Sequence, residues 1–180
     1  MSTPANVELT RHYAAEGLVR GPIDRVFAYV DDHSRLSSHM SQSSWLMGGG
    51  RMEVQFDEGL GQQTGSKIRL HGKVFGFSLF LEEVITERVP PYRKTWQTIG
   101  SPRLLIIGQY RMGFELSERN NDSALRVFID YSLPVRTVER WLGLLFSNFY
   151  ARWCTRKMIK DTVKHFEVRA EVAKQPASFN

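Results

Sequence analysis

Arg152 and Arg156 interrupt an otherwise apolar helical stripe near the C-terminus. Steps of four and three from Val138 give Leu142, Leu145, Phe149, Arg152, Arg156, Ile159, Val163 and Phe166. Such steps stay on one face of a helix. If that face is buried, each guanidinium needs a partner, because an unpaired buried charge is very costly. One candidate partner is a ligand whose carboxylate or phosphate is held bidentately. Acids on facing strands, such as Glu83 or Glu115, are another. A third arrangement shifts the buried stripe to Trp153 and lets both arginines reach solvent along their stems. Leu145 and Phe149 share the stripe and would line the apolar part of such a site. Tyr110, Tyr131 and Trp96 each combine an apolar body with a polar tip, which suits a ligand pocket. Met112 offers an adaptable lining. All four are also ordinary core residues.

Other chemistries find less support. His12, His33, His39, His71 and His165 lack the spacing of a zinc-binding helix, so no metal is expected. His71 falls on the polar side of its strand. His39, near the end of a short helix, is placed at the mouth of a cavity. The stretch HSRLSSHMSQSSW lacks the strand–turn–helix setting of a nucleophile elbow. Cys154 falls roughly opposite the stripe, where a lone thiol is more often inert than reactive. MGGG has neither the spacing nor the context of a phosphate loop. KIRLHGK alternates cations without aromatic residues on the same face, so no nucleic acid is expected. No cofactor motif is present.

A chain of 180 residues fits one domain with a sizeable core. Its net charge of +5 is spread among acids and reads as solvated surface. The single cysteine excludes an internal disulfide and a thiolate cluster. No apolar run reaches the length of a membrane span, and MSTPANVELT lacks the pattern of a secretory signal. The cytoplasm is the expected compartment.

These residues are set on a definite order of elements. Residues 1–7 read as a flexible lead and RHYAAEGLVRG as a first strand. Pro22 opens a helix that turns Ile23, Val26, Phe27 and Val30 inward. A second short helix follows, with Ser34 as its cap and Leu36 and Met40 inward. From Arg51 to Leu133 the period becomes two, and about six strands follow one another across short turns. One alternates Ile68, Leu70 and Val74 with Lys67, Arg69 and Lys73. A later strand from Leu104 carries Tyr110, Met112, Phe114 and Leu116 on one face. Pro134 closes the sheet, and a helix runs from about Arg136 to about Ala170. Residues 171–180 read as a flexible tail. The expected class is α+β: a curved antiparallel sheet of six to seven strands wrapped around a long C-terminal helix, in one domain over residues 8–170. Only that helix, ~50 Å long at ~1.5 Å per residue, can cover the apolar face of the sheet.

This layout resembles the START/Bet v 1 helix-grip superfamily, in particular its bacterial polyketide cyclase/dehydrase-like members. The carrying segments are PIDRVFAYVDDHSRLSSHM, GSKIRLHGKVFGFSLFLEEVITERVPPYRKTWQ and GQYRMGFELSERNNDSALRVFIDYSLP. Where such proteins often carry Trp at the end of the second helix, this chain has His39, with Trp45 a little later. The resemblance implies the fold and a hydrophobic or amphipathic small-molecule partner. The two arginines extend this expectation to an anionic one, and transient membrane contact is expected besides. It selects no activity. Three readings follow: a non-catalytic binding protein for a lipid, polyketide or aromatic compound; a cyclase/dehydratase-type enzyme using the same cavity; and an interaction module whose cavity is self-filled. The first needs a dry space of ~300 Å³ or more, the second an ionisable pair inside it, the third an exposed apolar patch.

Overall fold

The computed structural model describes residues 8–36, 51–74, 77–135 and 137–174. Strand β1 (Arg11–Val19) leads into helices α1 (Ile23–Val30) and α2 (His33–Leu36). Six strands follow: β2 (Arg51–Phe56), β3 (Lys67–Val74), β4 (Phe77–Val89), β5 (Arg93–Arg103), β6 (Tyr110–Arg119) and β7 (Asp122–Tyr131). Helix α3 (Thr137–Lys174) ends the described chain. It continues past Ala170 into the segment expected to be a tail. The N-terminal lead, His39, Met40, Trp45 and the MGGG turn lie outside the described residues.

The strands form one antiparallel sheet in the order β1-β7-β6-β5-β4-β3-β2. Strands β2 to β7 meander in sequence, as short connections require. Strand β1 then pairs with β7, so the segment carrying α1 and α2 joins the two outermost strands. Two register shifts between β4 and β5, at Phe80/Glu82 and Ile85/Glu87, mark bulges of the kind that bend a sheet.

Alternation explains the inner face. Ile68 and Leu70, Leu81 and Ile85, Trp96, Met112 and Phe114, and Val127 and Ile129 are all buried. The outer face carries charges that meet across strands: Arg69 with Glu82, Arg111 with Asp130, and Arg126 with Glu115. The expected alternation in β3 is therefore present. Two elements differ from expectation. Strand β6 starts at Tyr110 rather than Leu104. The α2 cap is Asp32, whose Oδ1 accepts from the Ser34 backbone N–H at 3.1 Å.

Helix α1 packs Phe27 edge-on against Phe114, with ring centres 5.7 Å apart. Asp31 ends the helix in a buried ionic brace. It accepts a bidentate pair from Arg88, with Nη2–Oδ2 at 2.8 Å, and lies 3.1 Å from Lys94 Nζ. Lys94 Nζ also donates to the Asp31 carbonyl at 2.6 Å.

Helix α3 lies along β1 and β7, and Gly17 lets it come close. A Cβ there would sit 2.4 Å from Ile159 Cγ2. Near its start, a Cβ on Gly143 would sit 2.8 Å from the Ile106 carbonyl oxygen. Toward the C-terminus, His165 stacks on Tyr29 at 4.1 Å and Phe166 meets the same ring edge-on.

The register of α3 corrects the expected stripe. Gly143, Ser147, Ala151, Cys154, Thr155, Met158 and Thr162 are buried. Leu145 is 70% exposed and Phe149 57%. Arg152 and Arg156 are exposed as well. Of the expected stripe, Ile159 is buried and Val163 and Phe166 are half-buried. Small residues occupy the inward side because the helix approaches backbone there, as at Gly143. Cys154, expected opposite the buried stripe, is in its middle.

Candidate functional site

Glu83 is a carboxylate on the inner face of β4, in the same parity as Leu81 and Ile85. It is 2% exposed. A carboxylate placed there needs donors. Tyr110 provides one, its hydroxyl donating to Glu83 Oε1. Thr98, paired with Glu83 across β4 and β5, fixes the Tyr110 backbone, since its Oγ1 accepts from the Tyr110 N–H at 3.0 Å. From α2, His33 brings Nε2 to 3.2 Å from Glu83 Oε2. The His33 ring also stands edge-on to Trp96 at 5.1 Å. The His33–Oε2 approach is within ionic reach but off the line of a hydrogen bond, so Oε2 has no aligned donor.

Helix α3 brings Tyr150 and Cys154 near enough to act on Tyr110. Ser147, Tyr150 and Cys154 follow one another at helical steps of three and four on its inward side. The Tyr150 phenol and the Cys154 thiol lie close enough to act on each other's ionisation. Ser147 Oγ is buried with no hydrogen-bond partner. Burial, followed by the Glu83 charge, pushes the Tyr110 phenol well above its usual range, and Tyr150 and Cys154 add to this. Tyr150 is raised by Cys154 and by burial. Burial pushes the Cys154 thiol up to about 12, against the opposing effect of Tyr150. Both phenols therefore stay neutral donors near neutral pH, and Cys154 is a thiol without nucleophilic character there.

The sequence matches no family model and no curated protein. Solved structures share the architecture. The Zhui aromatase/cyclase from Streptomyces sp. R1128 has a TM-score of 0.67 at 12% identity, with 92% of this chain and 99% of that one covered. Ara h 8.0201 has a TM-score of 0.61 at 10% identity, with 88% and 98% covered. Major latex-like protein 151 from Panax ginseng has 0.54 at 14%, with 88% and 99% covered. The chain has a helix-grip fold. At such identities the likeness carries the fold and not an activity.

Within the helix grip, four of the expected site residues face inward: Trp96, Tyr110, Met112 and Tyr131 are all buried. Tyr110 and Trp96 meet the Glu83–His33 pair. Four others lie on the outer side of α3: Leu145, Phe149, Arg152 and Arg156. The arginines are met neither by Glu83 nor by Glu115, which pair with His33 and Arg126. Instead they flank Tyr13 of β1. Arg152 lies over its ring at 5.5 Å, and Arg156 Nε donates to its hydroxyl at 3.1 Å. This answers the interruption in the stripe: the arginines are at its solvent edge. A surface groove of about 670 Å³ opens beside them, lined by Tyr13, Arg156, Ile159, Lys160, Val163 and Lys164. Sequence reasoning missed His33 and treated Glu83 only as a counter-ion. The parity of Glu83 with Leu81 and Ile85 was a usable signal. For His33 no sequence signal pointed to its partner.

Proposed function

We propose that this helix-grip protein binds a hydrophobic or amphipathic small molecule between the inner face of the sheet and α3. The carrying observation is the half-satisfied Glu83 carboxylate. Tyr110 occupies Oε1, while Oε2 and Ser147 Oγ are buried polar atoms without aligned partners. Native interiors rarely leave such atoms unmatched. A ligand hydroxyl or phenol donating to Oε2 would match it. An anionic end would meet the carboxylate and be repelled, so the interior favours a neutral donor end. Trp96, Tyr110, Met112 and Tyr131 form the apolar and aromatic surroundings. The architecture shared with an aromatase/cyclase and with Ara h 8.0201 supports the general class of partner.

A second reading draws on one specific feature. The buried Glu83–His33 pair, at 3.2 Å, is an ionisable couple suited to moving a proton on a bound polyketide-like or aromatic compound, as a cyclase/dehydratase-type enzyme would.

Binding is tested with 2-naphthol and its methyl ether, read by tryptophan fluorescence. The naphthol, which can donate, is expected to bind roughly tenfold more tightly, from a hydrogen bond to a charged acceptor. Glu83→Gln should shrink that preference. Equal binding of the two compounds, or an unchanged preference in Glu83→Gln, contradicts the proposal.

A further inference from the structure

The outer face of α3 changes character halfway along. In its first part Trp141 is 66% exposed, Leu145 70% and Phe149 57%, with Leu142, Leu144 and Phe146 also open. Isolated apolar side chains on a surface are ordinary, but a contiguous group of this size marks a contact surface. From Arg152 onward the same outer side carries Arg152, Arg156, Lys160 and Lys164 at steps of four, all exposed. None of these four has a carboxylate within ion-pair distance among the described residues. Arg152 and Arg156 are engaged by Tyr13, which leaves their charges unneutralised. Glu16 and Glu167 border the groove beside this stripe, and Asp161 is taken by Lys157. Arg69, Arg111 and Arg126 on the sheet, by contrast, are each paired with a carboxylate across strands.

An apolar segment of ~13 Å followed in line by four cations matches the two layers of an anionic membrane surface. Tryptophan at such a boundary is favoured because its ring is amphipathic. A second copy fits less well. In a parallel arrangement it would set the cations against like charge, and in an antiparallel one against apolar side chains. We propose that the outer face of α3 docks the protein on an anionic lipid bilayer. Trp141, Leu145 and Phe149 enter the boundary between headgroups and acyl chains, and Arg152, Arg156, Lys160 and Lys164 lie along the headgroups. Among the described residues no helix is long and apolar enough to cross a membrane.

The test uses the full chain with no added ligand, so it stands or falls apart from binding inside the helix grip. Vesicles of phosphatidylcholine alone are compared with vesicles of equal parts phosphatidylcholine and phosphatidylglycerol. Co-sedimentation is expected with the mixed vesicles and should weaken with added salt. A blue shift of tryptophan emission should accompany it and be lost in Trp141→Phe. Lys160→Ala with Lys164→Ala should weaken binding roughly twenty-five-fold, at about fivefold per cation. Leu145→Glu with Phe149→Glu should abolish it while circular dichroism stays unchanged. The proposal is overturned by no co-sedimentation with mixed vesicles, or by undiminished binding of the Leu145→Glu/Phe149→Glu protein. It is equally overturned by a concentration-dependent dimer in buffer that this double variant dissolves.

Discussion

Two buried ionic clusters connect the helices after β1 to the sheet, and they differ in completeness. At the end of α1, both Asp31 carboxylate oxygens are taken, by the Arg88 fork and by Lys94. Below α2, Glu83 has one oxygen held by Tyr110 and another that His33 approaches without alignment. The first cluster fixes α1 against β4 and β5 and has no capacity to spare. The second retains acceptor capacity inside the domain. Charge alone does not mark a site; an unfilled hydrogen-bonding position next to a charge does.

The sharpest way to break this contrast is to remove one member of each cluster. Asp31→Asn leaves Lys94 buried without its counter-charge and is expected to cost about 3–5 kcal/mol in urea unfolding. Glu83→Gln keeps volume and an acceptor for Tyr110, so about 1 kcal/mol is expected. Similar losses in the two variants would erase the distinction between brace and site.

A smaller effect should appear in alkaline solution. Burial lowers the Lys94 pKa, with Asp31 pulling it back up. Because the folded value lies below the unfolded one, the unfolded chain binds more protons between the two. The Lys94 contribution to stability therefore rises as pH climbs through that window toward the ordinary lysine value. Unfolding of the wild type and of Lys94→Met should show the stability difference shifting toward the wild type across that range. A difference that stays flat would mean that Lys94 titrates alike in both states.

Much of the architecture was legible because the strands alternate cleanly. Lys67, Arg69 and Lys73 against Ile68, Leu70 and Val74 fix the faces of β3 with little ambiguity. The register of α3 was not legible, for a physical reason. Its first half is apolar on nearly every side, with Val138, Trp141, Leu142, Leu144, Leu145, Phe146 and Phe149 within a few turns. Several stripes can be traced through such a segment. The side that packs is the one with small residues, Gly143, Ser147, Ala151 and Thr155, because close approach to backbone selects against bulk. Hydrophobicity favoured Leu145 and Phe149, and sterics decided against them. The interior site was only partly legible. Tyr110 and Trp96 follow from strand parity, whereas the meeting of His33 with Glu83 depends on how α2 is placed over the sheet.

The orientation of α3 underlies both the interior site and the outer docking face, and thiol labelling reads it directly. Native Cys154, buried with a pKa of about 12, is compared at pH ~8 with a Phe149→Cys protein in a Cys154→Ser background, using iodoacetamide. The introduced thiol is expected to react faster on the order of a thousandfold, from its thiolate fraction alone. Rapid labelling of Cys154 together with protection at position 149 would contradict the inward placement of Ser147, Tyr150 and Cys154.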